Sequence, residues 1–465
     1  MLDKSEYSPV VLAAILAYVG LQLALGFWVS RRVATEEDYL VAGRRLGYGM
    51  TALSVFATWF GAETCIGSAS EAYGHGLSGT TADPFGYALC ILLMGTVFAS
   101  ALWKRGLTTF ADLFRLRFGK GAERLAVVII APTSLMWAAA QIRAFGQVLG
   151  ASSELTTSAA IAVAALVVIV YTAVGGMLAD VITDSVQGVV LVSGLILIGT
   201  MAWLSGDLGG LQEVEASRRS LFAPGASAMD LAEAWAVPIL GSVMAPELVG
   251  RVLAAKSPQV ARRATIAAAF LYFTVGLVPV AMGLLATRAL PGLDDPEQVL
   301  LHQAARYLPG LLYAIFAGAL VSAILSTVDS ALLVAGSLVA HNVVLPALGE
   351  VEPARALRIN RLAVTCSGAL AYLLARSADS VYALVEEASA FGSAGIVVCA
   401  CFALFSRIGG RGSALASLSS GVLVYAAGAY WLELRHPYLV SLVCALTSYL
   451  VVAVREQPTV VDARA

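Results

Sequence analysis

Ser326, Thr327, Asp329 and Ser330 fall within five residues of one another in an otherwise apolar stretch. Ala323, Ser326, Thr327 and Ser330 stand at i, i+3, i+4 and i+7, so a helix there carries them on one face. Two hydroxyls and a backbone carbonyl from that face would supply hard oxygen ligands of the kind a sodium ion takes, as other hard cations do. The carbonyls that an unwound helix frees, such as those near Ala57 and Phe60, would complete the shell. Asp329 is a carboxylate inside an apolar span, where a charge is costly and marks a functional candidate by default. The competing account is structural: Ser and Thr also bond back to their own helix and mediate helix packing.

Such a face needs elements to hold it. The chain has 465 residues, of which 59% are hydrophobic and 13% charged. An ordinary soluble protein is about a quarter charged, so lipid must solvate most of this one. A net charge of −2 gives no electrostatic reason for a nucleic-acid partner. About thirteen apolar stretches near the length of a membrane span recur between residues 8 and 454, which predicts an all-α membrane protein. Arginine and lysine alternate between the connections: Arg31, Arg32, Arg44, Arg45, Lys104, Arg105, Arg251, Arg262, Arg263 and Arg464 all fall on one side. Lys4, Arg218, Arg306 and Arg435 fall on the other, and Arg143 alone falls within a span. The positive-inside rule then places the N-terminus outside and the C-terminus in the cytoplasm. No cleavable signal peptide is expected, and the tail after Val454 is expected to carry no further module. The six cysteines read as small buried hydrophobes, since Cys399-x-Cys401 is no metal or redox spacing.

Two spans contain backbone breakers. Met50 to Tyr73 holds Gly61 and Gly67, and Leu231 to Arg251 holds Pro238, Gly241 and Pro246. Unwound backbone at membrane depth is tolerated only where it lines a cavity or is buried in protein. A pair of interrupted spans in matching positions of two halves points to a transporter's binding site. Close helix packing is the plainer use of those glycines. The organisation that follows has residues 1–48 as an extra helix and loop, 49–204 as a first five-helix repeat and 205–230 as an external loop. Residues 231–406 form a second, inverted repeat, and 407–465 two further helices and a tail.

Four stretches carry a family resemblance: Asp38 to Arg44, Phe56 to Gly67, Tyr171 to Gly176 running on to Thr183–Gln187, and Ser322 to Ser330. The chain resembles the sodium:solute symporter family, whose members have a LeuT-type core of two inverted five-helix repeats plus extra helices. The resemblance implies a sodium site of Ala57, Phe60 and Ala323 carbonyls with Ser326 and Thr327 hydroxyls. It also implies a second sodium near Asp184, Ser326, Asp329 and Ser330, although Asp329 stands where other members have serine. Sodium would then be the coupling ion, with no other cofactor or metal.

Within the family the resemblance is to the high-affinity choline transporter branch, and Trp59, Tyr87 and Trp137 match three positions of its aromatic cage. Cation–π contacts of that kind contribute up to about 2 kcal/mol each when desolvated. A fourth aromatic position is Ala245 here, and Gly61-Ala62-Glu63-Thr64 replaces a glycine-rich stretch. The departures add charge. Glu63 follows Trp59 by four residues, Gln141 follows Trp137 by four, and Arg143, Glu247 and Glu386 lie close to the same region. A carboxylate among aromatics suits an ammonium, and an arginine opposite it suits the carboxylate of a zwitterion. The substrate is therefore expected to be a quaternary ammonium compound or an amino acid-like zwitterion. The structural accounts are an internal Glu63–Arg143 ion pair, core packing of Trp137, and vestibule exposure of Glu386 and Glu387.

The expected function is sodium-coupled symport of a small organic solute across a bacterial inner membrane, with no obligate protein partner. A proton-coupled or uncoupled transporter of a small carboxylate or sugar is one rival, and a solute sensor without transport is another. A channel would want a ring of charge or carbonyls. No enzyme is expected: His75, His302, His341 and His436 lie at or near loops, and neither HExxH nor GxSxG occurs.

Overall fold

The computed structural model describes residues 13, 16–22, 24, 25, 27–29, 31 and 35–456, apart from 152–154, 294, 378 and 379. Lys4, Arg32 and Arg464 of the charge pattern lie outside these residues, as does the start of the first apolar stretch. Among the described residues there is no strand, only one parallel bridge between Leu46 and Ala255. Among the described residues six helices are long and apolar enough to cross a membrane, or eight if two bent pairs each count as one span. Leu16–Val29, Ser158–Val170 and Pro437–Ala453 are shorter apolar helices. Large apolar side chains at Val128, Leu166, Ile196, Phe270, Leu311 and Leu423 face outward, as a lipid solvent allows and water would not.

Helix starts follow local chemistry. Ser257 accepts a hydrogen bond from the Val260 amide and Pro258 takes the first turn of Pro258–Ala289, where a missing N–H costs nothing. Ser227 and Asp230 form a reciprocal capping box on Ala228–Ala236. Gly176 sits at φ 63°, ψ −178° between two helical stretches, and a Cβ there would lie 2.4 Å from the Tyr39 ring. The chain therefore turns on Gly176 itself, and the span Gly176–Leu204 begins there.

Both expected interruptions are present, and a third joins them. Tyr48–Trp59 ends at Phe60 (φ −87°, ψ 71°). Ala228–Gly241 and Pro246–Ala254 meet at a bend of 41°. Pro238 is absorbed in a wide turn spanning Val237–Gly241, and the break falls at 242–245, just before Pro246. Val381–Ala390 and Ser393–Phe405 bend by 44° around Phe391 and Gly392. The long helix Gly310–Val339, which carries the hydroxyl face, packs against Lys120–Ala151, Thr157–Leu204 and Tyr48–Trp59.

Candidate ion and solute site

The largest concentration of buried charge lies where the first and second broken helices meet. Arg251, counted with the loop arginines in the charge pattern, is instead completely buried. Its helix, Pro246–Ala254, turns Leu248, Val249, Val252 and Leu253 inward as well, so nearly every face of that short helix is inside the protein. The Arg251 guanidinium donates to Asp180 Oδ2 at 2.5 Å, Asp184 Oδ2 at 3.1 Å and the Ser330 hydroxyl. Its Nε donates to Thr58 Oγ1 at 2.9 Å and Nη1 to Met177 Sδ at 2.9 Å. One side chain thus joins four elements.

Asp184 is the acceptor at the centre. It takes hydrogen bonds from Ser326 Oγ at 2.5 Å, Ser54 Oγ at 2.6 Å and Thr58 Oγ1 at 3.3 Å. One oxygen from each of Asp180, Asp184 and Asp329 lies within 4.8 Å of the others. Asp329 accepts from the Ser330 amide with Oδ1, while its Oδ2 is buried without a hydrogen-bond partner. With all three ionised, one guanidinium leaves negative charge uncompensated, and a buried charge that lacks a partner is expensive. The arrangement can hold one more small cation, or a proton.

Around Phe60 the backbone ladder lapses. The Phe60 amide closes onto Phe56 O and the Cys65 amide onto Gly61 O, but the Ala62 amide turns to Gln141 Oε1 at 2.9 Å. The carbonyls of Ala57 and Phe60 belong to this interrupted stretch. Gln141 also donates to Glu63 Oε2 at 2.6 Å, so the Glu63 carboxylate meets Gln141 where an Arg143 ion pair was one expectation. Glu63 Oε1 is buried without a partner. A Cβ on Gly61 would lie 2.7 Å from Thr327 Oγ1, 2.8 Å from Glu63 Oε2 and 2.9 Å from Gln141 Oε1. Three oxygens from three helices therefore converge over the break.

Trp59, Tyr87 and Trp137 are brought together, with ring centroids 5.1–6.4 Å apart. They pack against one another. Tyr87 continues through Ser389 (3.0 Å) to Ser242 (2.9 Å), which ties the second and third breaks to the aromatic cluster. Beside it opens a small cavity of about 30 Å³, lined among others by Ser134, Trp137, Ser242, Ala245, Glu247 and Ser389. Glu247 is buried, Arg143 half-buried and Glu386 exposed. Thr327 donates to Ala323 O at 3.3 Å, the back-bond that the structural account of this face expected, whereas Ser326 reaches across to Asp184.

Three residues escape the sequence reading. Asp180 lies one turn before Asp184 on the same face, a signal that was available. Arg251 sits among apolar residues four places after Glu247, but the charge pattern absorbed it. Asp83, completely buried, accepts from Thr64 Oγ1 at 2.7 Å and Tyr272 Oη at 2.9 Å, and nothing in its spacing announced those partners.

Helices broken around buried carboxylate and hydroxyl oxygens are an arrangement that membrane transporters use for their ion and solute sites. The sodium:solute symporter family profile matches residues 39–421, and the chain belongs to that family. It is 27% identical over 394 residues to high-affinity choline transporter 1 of Drosophila melanogaster, covering 80% of this chain and 63% of that protein. To the human high-affinity choline transporter 1 it is 26% identical, covering 80% and 69%. To a sodium/pantothenate symporter of Haemophilus influenzae it is 26% identical, covering 67% of each. The fold matches a substrate-bound, outward-open Na+-coupled sialic acid symporter with a TM-score of 0.84 and 17% identity, covering 97% and 98% of the two chains. A nucleobase-cation-symport-1 family transporter in a closed conformation matches at 0.61 and 16%, covering 90% and 94%.

Proposed function

We propose that this chain is a sodium-coupled symporter of a small organic cation or zwitterion, spanning a bacterial inner membrane about thirteen times with its N-terminus outside. The observation that carries the reading is the convergence of Thr327, Glu63 and Gln141 over the break at Gly61. Sodium is held by the carbonyls of Ala57, Phe60 and Ala323 and the hydroxyls of Ser326 and Thr327, whose lone pairs can ligate while each hydroxyl donates its hydrogen to its present acceptor. Ion binding there pins the first broken helix to Gly310–Val339 and orders the solute pocket of Trp59, Glu63, Tyr87, Trp137 and Gln141. Arg143, Glu247 and Glu386 bound the pocket's approaches. A second sodium at Asp184, Asp329 and Ser330 shares its cluster with Arg251, whose guanidinium already supplies part of the counter-charge.

Alternating access follows from the breaks. Each broken helix lets one half move while the other stays packed, and a sodium crossing the full field contributes about 2.3 kcal/mol per 100 mV. The proton-coupled reading draws on Asp83, a buried carboxylate among hydroxyls. Proteoliposome uptake separates the two. Choline, betaine, proline, other amino acids, short carboxylates and a sugar are presented under a sodium gradient, a proton gradient and potassium alone. Accumulation driven by the sodium gradient alone is the expected result; accumulation driven by the proton gradient alone would overturn it.

A further inference from the structure

The break at 242–245 has surroundings that mirror those of the first break. At the first, the stretch around Phe60 and Gly61 meets Ser326 and Thr327 on Gly310–Val339, the third span of residues 231–406. Asp184 joins them from Gly176–Leu204, the fifth span of residues 49–204. Under an inverted repeat the two halves exchange roles. The second break then faces the third span of the first half and the fifth span of the second half. Those are the elements found there. Lys120–Ala151 brings an adjacent hydroxyl pair, Thr133 and Ser134, and the bent pair Val381–Ala390 and Ser393–Phe405 closes the other side. Between them lies the cavity of about 30 Å³.

Two polar groups lining that cavity are buried without a hydrogen-bond partner: the hydroxyl of Ser134, a residue 1% exposed, and Oε1 of Glu247, a residue 3% exposed. A buried carboxylate that lacks a partner is expensive. Arg251, one turn further along the same helix, turns its guanidinium to Asp180, Asp184 and Ser330 instead. The other hydroxyls lining the cavity give their hydrogens to protein acceptors: Thr133 to Ile130 O at 2.7 Å, Ser242 to Ser389 Oγ at 2.9 Å and Ser393 to Ser389 O at 2.7 Å. Each keeps oxygen lone pairs. One carboxylate among neutral oxygens suits a hard cation, and its single charge balances a monovalent one. Size points the same way. A cavity holds a water from about 10–15 Å³ upward, so this one has room for a bare ion and a water but not for an organic solute.

We infer that the cavity at the second break is a further sodium site, held by Glu247 and Ser134, with the hydroxyls of Thr133, Ser242 and Ser393 around it. The inference rests on the symport reading and adds an ion to it. The ion pins Pro246–Ala254 to Lys120–Ala151, as the proposed ion at the first break pins the first broken helix to Gly310–Val339. Trp137 lines the same cavity, so occupancy there bears directly on the aromatic cluster.

The test counts sodium ions bound by the purified full chain in nanodiscs, using radioactive sodium at neutral pH with N-methylglucamine holding the ionic strength. The parent is expected to bind one ion more than Glu247→Gln. Ser134→Ala is expected to weaken that ion by about tenfold without changing the count at saturation. Ser326→Ala with Thr327→Ala is expected to lose a different ion, so the triple variant with Glu247→Gln loses both. Melting in sodium-free buffer checks that each variant folds. Should E247Q fail to fold, Ser134→Ala decides alone, and an unchanged sodium isotherm there overturns the inference. Equal counts for the parent and a folded E247Q also overturn it, whether Glu247 then carries a proton or faces the solute, and leave symport standing. A parent that binds no sodium overturns the symport reading as well.

Discussion

Removing the Arg251 guanidinium strips the buried cluster of the cation seen among its three carboxylates. In Arg251→Gln, hydrogen bonds to Thr58, Met177, Asp180, Asp184 and Ser330 are lost or shortened in reach. Asp180 and Asp184 keep their burial without their ion-pair partner. Breaking a buried ion pair from one side costs about 3–5 kcal/mol, most of it the charge left behind. The unfolding entropy of a soluble chain is about 2 cal/mol/K per residue. Applied to a cooperative unit of this length, that cost lowers the melting temperature by about 3–5 °C. Melting in detergent is then repeated over a sodium series. With the tethered cation gone, free sodium takes a larger share of the counter-charge, so the variant's melting temperature rises more steeply with sodium than the parent's. Asp180→Asn in the same background removes one of the stranded charges and restores part of the loss. A variant that melts like the parent without sodium, with an unchanged sodium slope, refutes the view that Arg251 neutralises the cluster.

Two further outcomes follow from the same geometry. Ser326→Ala with Thr327→Ala removes two of the five ligands in the proposed sodium shell and is expected to raise the sodium concentration for half-maximal uptake by about 10–100-fold; an unchanged requirement places the ion elsewhere. On the proposed cytoplasmic face, Asp112 and Glu36 gather around His341, Asn342 and Asn360. Burial pushes Asp112 upward, but the His341 ring 3.7 Å away, the hydrogen bond from the Thr109 amide and the charge of Arg115 outweigh it and hold the carboxyl below its usual value. Burial likewise acts upward on Glu36, and hydrogen bonds from His341 and Asn360 reverse it. A carboxyl depressed in the folded state stabilises fully above its unfolded pKa, about 4, and that contribution is lost as pH falls through the lower folded value. Acid melting should therefore steepen below about pH 4, and Asp112→Asn should flatten that limb; parallel acid limbs for the two proteins remove the cluster from the explanation.

Much of this molecule is written locally. Membrane residence follows from the near absence of charge over long stretches, because lipid selects for apolar surface whatever the tertiary contacts. The interruptions at Gly61 and Pro246 were legible because glycine and proline act on their own backbone, and the hydroxyl face at 323–330 because helical spacing alone aligns it. Family membership rests on stretches read in order along the chain. Gly392, by contrast, gave no such warning: glycine in an apolar span is common, and only the packing of Ile129 against it together with its φ of 68° reveals a third break. Arg251 shows the limit most clearly. A positive-inside count treats an arginine near a span's end as solvated, and only the fold, by bringing Asp180, Asp184 and Ser330 around it from distant segments, makes its burial affordable. Glu63 is similar: spacing placed it beside Trp59, but its partner had to come from the helix of Gln141. Backbone breaks and solvent preference are properties of a few neighbouring residues, so the sequence determines them. The pairing of buried charges depends on which helices meet and in what register, and only the assembled structure decides that.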